Sequence, residues 1–153
     1  MSDAAPTSAP DDTPLRLPPE ALIHLTPDEW TAPFWAAAAQ HRLVVPRCVA
    51  CAAFRFPPSP FCWRCRTQDV EWVERPGTGV VYSFTIVWHP ILPDLADTVP
   101  YAPAVVELPD TGGVRVVGAM TDASPGDIRV GLPVELVWRD VRADVTVPTW
   151  RPV

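Results

Sequence analysis

Residues 47–66 read RCVACAAFRFPPSPFCWRCR and hold all the cysteines of the chain, Cys48, Cys51, Cys62 and Cys65. They form two C-x-x-C pairs with ten residues between them. Each C-x-x-C turn offers two thiolates on one side of a tight knuckle, and two facing knuckles close a tetrahedron. All-thiolate tetrahedral sites suit zinc, with iron as the alternative metal. The opening segment, MSDAAPTSAPDDTP, has neither the basic start nor the apolar run of a secretory signal, so a cytoplasmic setting and a metal rather than disulfides are expected. Four cysteine ligands leave no open coordination position. The metal is therefore expected to hold the fold rather than activate water, contributing on the order of 10 kcal/mol. Zinc knuckles often carry glycine just after the second cysteine, where a positive φ is convenient. Ala52 and Arg66 stand there, which predicts turns that are strained or differently shaped.

Working outward, RLVVPRC at 42–48 reads as a strand entering the cysteine region and DVEWVER at 69–75 as the strand leaving it. With the connector Pro57-Pro58-Ser59-Pro60 they predict a zinc ribbon over 43–75. Pro76-Gly77-Thr78-Gly79 is a turn. From there the pattern is β-branched and aromatic: GVVYSFTIVWHP, YAPAVVEL, VRVVGAM, VELVWRDV and VTVPTWRPV. Five strands without intervening helices predict a small, partly closed five-stranded barrel of OB type over 76–153. Gly118, inside the third of these strands, marks an expected bulge or bend.

Upstream, TPDEW at 26–30 has the form of a helix start, with Thr26 as N-cap, Pro27 at the first position and acids in the first turn. A helix is expected within 26–42, with Trp30, Phe34 and Ala37–Ala38 on one face, and with Pro33 kinking its start or shifting it forward. Its aromatic load, Trp30, Phe34 and Trp35, fits either packing on the chain's own barrel or docking on a partner. Residues 1–25 are rich in proline, aspartate and alanine and are expected to be a mobile tail, ordered by a partner if at all. The chain is thus expected to be mainly β.

The net charge is −6, which opposes generic nucleic-acid binding. The charge is uneven. Residues 42–66 carry Arg42, Arg47, Arg55, Arg64 and Arg66 with no acid, whereas 67–153 carry six arginines against twelve acids. No lysine occurs, as a coding bias towards arginine would produce. Nucleotide, hydrolase and metalloprotease motifs are absent. His24, His41 and His89 lie in no recognisable motif. His89 could serve as a base at a strand end, or be an ordinary loop residue. The acids of DLAD at 94–97 read as loop solvation.

The order PFW, HRLVVPRCVACAAFRFPPSPFCWRC, EWVERPGTGVVYSFTIVWHP, PYAPAVVEL, GDIRVGLPVELVW and VPTWRPV resembles the bacterial and archaeal family that joins a rubredoxin-like zinc ribbon to an OB-fold, long filed as a domain of unknown function. The resemblance covers about residues 26–153. Ala52, Trp63 and Arg66 depart from it, standing where the family commonly has Gly, Pro and Gly. It implies a non-catalytic accessory subunit in acyl-CoA metabolism. Such a subunit would support a thiolase-like partner, a thiolase or a retro-aldolase of steroid side-chain degradation, in some settings with a MaoC-like hydratase, and would help form the CoA-ester site. Arg47, Arg55, Arg64 and Arg66 are then candidates for the CoA phosphates, since guanidinium forks match phosphate oxygens. The plainer reading is that they balance the charge of a four-thiolate zinc centre. A single-stranded nucleic-acid module is the alternative from another class, because zinc ribbons and OB-folds both bind single strands. An enzyme using His89 and a free-standing acyl-CoA carrier are the remaining ones.

Overall fold

A computed structural model describes residues 12–90 and 92–153. A short helix α1 (Ala32–Ala38) is followed by an antiparallel pair, β1 (Leu43–Cys48) and β2 (Val70–Arg75). Five further strands follow: β3 (Thr78–Phe84), β4 (Pro103–Glu107), β5 (Arg115–Met120), β6 (Pro133–Arg142) and β7 (Val145–Pro152). They form a closed barrel in the order β3-β4-β5-β7-β6. The expected mainly β architecture is what folds, with one difference. The barrel closes fully, because the start of β3 pairs with the start of β6, Thr78 opposite Glu135 and Val80 opposite Pro133. β5 and β7 pair in parallel.

The barrel interior is filled by alternate residues of its strands, among them Val81, Ala104, Val106, Val116, Met120, Val134 and Trp150. No bulge interrupts β5 at Gly118, which stays in register opposite Ala104. The glycine is needed for a close approach instead. A Cβ there would lie 2.7 Å from the Pro148 carbonyl oxygen and 2.8–2.9 Å from the Trp150 indole. Neither neighbour is a flexible chain end. Gly118→Ala is therefore expected to destabilise the barrel by about 1–3 kcal/mol, measured by chemical denaturation.

The helix begins later than TPDEW implies. Asp28, not Thr26, ties the start. Its Oδ1 accepts from the Trp30 and Thr31 amides at 3.1 and 2.7 Å and from Thr31 Oγ1 at 2.7 Å. In return, the Asp28 amide donates to Thr31 Oγ1 at 3.1 Å. These bonds, the Thr31 side chain's first, hold the Asp28 carboxyl below its ordinary range. Pro33 then sits within the first two helical positions, where its missing N–H costs nothing. The helix ends in a Schellman arrangement. His41 adopts φ 56°, the His41 amide donates to Ala38 O and the Arg42 amide to Ala37 O. His41 Nε2 also lies 2.9 Å from Asp140 on β6. That contact and the Thr146 hydroxyl lower the Asp140 pKa.

The helix face is used by the chain itself. Phe34 is buried, and its ring meets those of Trp35, Phe56 and Trp138 at centroid distances of 4.8, 5.4 and 6.5 Å. Phe34, Leu43 and Val45 share one core with the barrel, so ribbon, helix and barrel fold as a unit.

Residues 1–11 of the expected mobile tail lie outside the described residues. Residues 12–25 do not behave as a tail. Leu15 packs against the core, and its amide donates to Ala123 O. The Arg16 amide donates to Pro100 O, Arg139 donates to Pro18 O, and Arg142 donates to the carbonyls of Glu20 and Ile23. Composition misleads here because the partners are backbone carbonyls, which proline-rich chain keeps free.

Candidate metal centre and the ribbon around it

The two C-x-x-C turns have matching local structure. In the first, the Cys48 amide donates to Ala53 O and the Ala52 amide to Cys48 O, each at 2.9 Å. In the second, the Cys62 amide donates to Thr67 O and the Arg66 amide to Cys62 O, also at 2.9 Å. The turn requires a left-handed residue after the second cysteine, and Ala52 and Arg66 supply it with φ of 58° and 66°. The knuckles therefore keep their shape, and the misfit is local backbone strain at two residues with a Cβ. Ala52→Gly is expected to raise stability by about 0.5–1 kcal/mol, the relief of strain exceeding the entropy glycine adds to the unfolded chain. A thermal or urea melt with metal bound checks it.

β1 and β2 bring the knuckles together. The sulfurs of Cys48, Cys51, Cys62 and Cys65 all lie within 4.8 Å of one another. Cys48 and Cys65 Sγ are 3.5 Å apart and those of Cys51 and Cys62 3.6 Å. Cys48 and Cys62 are buried, whereas Cys65 is exposed. Hydrogen bonds from the Thr67 side chain and amide bring Cys65 down to about 6. Cys51 has a lowering contact from the Ala53 amide, yet burial and the other three sulfurs push it up to about 12. Four thiolates at such separations repel one another unless a cation stands among them. The donor set and its spacing fit a tetrahedral thiophilic metal.

The four arginines singled out in the sequence do not gather at one place. Arg55 is almost fully buried. Its guanidinium donates to the carbonyls of Pro60, Thr67, Gln68 and Asp69, at 2.6 Å to Gln68 O. It thereby ties the second knuckle's flanks to the strand side of the ribbon. Both its terminal nitrogens are engaged by carbonyls, while Nε is buried without a hydrogen-bond partner. Arg47 lies opposite Glu71 across β1–β2 and pairs with it at 2.8 Å. Arg64 and Arg66 are exposed and have no ion-pair partner among the described residues. His89 is exposed too, in no side-chain hydrogen bond among the described residues, and Asp94 and Asp97 lie on a 3-10 turn.

Fold and site together define a rubredoxin-like zinc ribbon, with four cysteines positioned to bind a metal ion, continued into an OB barrel. Residues 35–71 match the family described as the ChsH2 rubredoxin-like zinc ribbon domain, and residues 72–139 the ChsH2 C-terminal OB-fold domain. A solved structure, an Ltp2-ChsH2(DUF35) aldolase, contains a chain that superposes with a TM-score of 0.76 at 39% identity. The match covers 84% of this chain and 98% of that one. The chain belongs to this ChsH2/DUF35 family. A probable enoyl-CoA hydratase alpha subunit of Thermomonospora curvata is 43% identical over 78% of this chain. A 3-oxo-4,17-pregnadiene-20-carboxyl-CoA hydratase alpha subunit of Mycobacterium tuberculosis is 33% identical over 97% of it. The chain spans only 36% and 44% of the length of these two hydratase subunits. Among the described residues no helix is long and apolar enough to cross a membrane.

Proposed function

We propose that this chain is a non-catalytic accessory subunit of an acyl-CoA enzyme, with Cys48, Cys51, Cys62 and Cys65 holding a structural zinc ion. The partner is a thiolase-like enzyme, and the preferred reaction is retro-aldol cleavage of a steroid side-chain CoA thioester. The observation that carries this reading is the match to nearly the whole length of the ChsH2(DUF35) chain of an aldolase assembly. The names of the hydratase relatives support acyl-CoA chemistry and a steroid substrate, although they are much longer proteins. The residues are consistent with a supporting role. A four-cysteine centre has no open coordination position, and Arg55 is spent on shaping the ribbon.

The test is co-expression with a thiolase-like enzyme from the same genome. A stable complex that survives size-exclusion chromatography, with stoichiometric zinc, is expected. Failure of the two proteins to associate would contradict the reading.

A further inference from the structure

The metal end of the ribbon carries a surface that the fold does not use. Val49 and Trp63 occupy the same position in the two C-x-x-C turns, directly after the first cysteine, and are 62% and 68% exposed. Phe61, directly before the second knuckle's first cysteine, is 53% exposed. A surface tryptophan commonly keeps its indole N–H in water. Here the N–H is satisfied internally, Trp63 Nε1 donating to Phe54 O at 3.2 Å. The ring is thus fixed in direction and still open to solvent, as a preorganised anchor would be.

The charges beside it are unmatched. Arg42, Arg47, Arg115, Arg139, Arg142 and Arg151 have carboxylate partners. Arg16, Arg55 and Arg75 donate to backbone carbonyls. Arg64 and Arg66, both on the second knuckle, do neither among the described residues, and nor does Arg129 in the loop before β6, which stands apart from any such aromatic cluster in the sequence. Arg66 also stands at a left-handed φ of 66° that glycine would occupy without strain. A long cation kept at a strained position points to a use for its side chain. The apolar outer face of the barrel differs in this respect. There Tyr82, 48% exposed, already has the Arg115 guanidinium 3.3 Å over its ring, and Arg115 is itself paired with Glu107.

We propose that Val49, Phe61, Trp63, Arg64 and Arg66 form the surface that seats in the acyl-CoA enzyme, and that the seat is an apolar socket for Trp63 rimmed by carboxylates. This rests on the accessory-subunit reading and assigns the contact to the ribbon's metal end rather than to the barrel. Tryptophan and arginine dominate interface energetics where they enter desolvated pockets. Two unpaired cations select a seat of opposite charge.

The experiment measures complex formation with the co-expressed enzyme, without any CoA ester, for the wild type and four variants. Trp63→Ala and Arg64→Glu are expected to weaken the complex at least about 30-fold, with zinc content and melting temperature unchanged. Arg66→Gly is expected to raise the melting temperature while weakening the complex. Tyr82→Ser on the barrel face is expected to change the affinity less than about 3-fold. If the wild type forms no complex, the accessory-subunit reading fails. If the wild type binds, three results overturn the ribbon assignment alone. One is Tyr82→Ser abolishing binding while the ribbon variants retain it. The second is Arg64→Glu and Arg66→Gly losing only zinc retention, as pure charge balance would require. The third is the ribbon variants binding normally without CoA ester and failing only in its presence, as a phosphate site would.

Discussion

Replacing Cys62 by serine is expected to abolish metal retention and unfold the ribbon. Cys62 is fully buried, and its backbone closes the second knuckle through Thr67 O and the Arg66 amide. Serine supplies no thiolate, so the remaining three sulfurs lose the closed tetrahedron. The metal's contribution is on the order of 10 kcal/mol in small structural zinc sites, comparable to the whole stability of a domain. Damage should not stop at the ribbon, because Leu43 and Val45 of β1 belong to the core that the barrel shares. Limited proteolysis is expected to cut within 43–75 first, with the barrel melting at a lower temperature afterwards. A strong chelator should reproduce the effect on the wild type. Full zinc occupancy and an unchanged melting temperature in Cys62→Ser would contradict a structural role for the centre.

Phe34→Ala is expected to cost about 3–5 kcal/mol and to separate the ribbon's unfolding from the barrel's. The ring joins three parts of the chain: the helix through Trp35, the ribbon connector through Phe56 and β6 through Trp138. Truncation leaves a cavity where these meet, and the His41–Asp140 contact is too exposed to compensate. Urea titration should show one transition in the wild type and two, or one much broader, in the variant. Phe34→Leu, which keeps most of the volume, should lie between them. A single sharp transition of undiminished stability in Phe34→Ala would mean that the helix is not the bolt between the two parts.

The strands and cysteines are legible in the sequence for a simple reason. Alternation within each strand and the C-x2-C spacing are local, and local pattern determines local geometry. What cannot be read there depends on atoms that meet only after folding. Arg55 looks like any exposed ribbon arginine until residues 60–69 fold back and aim four carbonyls at it. Asp28 rather than Thr26 fixes the turn that leads into the helix because Thr31 reciprocates its hydrogen bonds, a pairing masked by the stronger formal signal of Thr26-Pro27. Residues 12–25 look featureless because their barrel contacts run largely through main-chain carbonyls offered to Arg139 and Arg142. Gly118 reads as a bend, whereas its function is to admit the edge of Trp150. Among the candidate phosphate ligands, Arg47 and Arg55 are engaged within the ribbon. Arg64 and Arg66 have no such engagement among the described residues, a division that composition does not contain.

If this chain supports chemistry carried out by another protein, turnover must belong to the assembly. The most direct measurement compares acyl-CoA turnover by this chain alone, by the co-expressed thiolase-like enzyme alone and by the purified complex, on the same CoA thioester. No turnover is expected from the chain alone, strongly diminished turnover from the enzyme alone, and full turnover only from the complex. Full activity of the enzyme without this chain, or turnover by this chain alone, would contradict the supporting role.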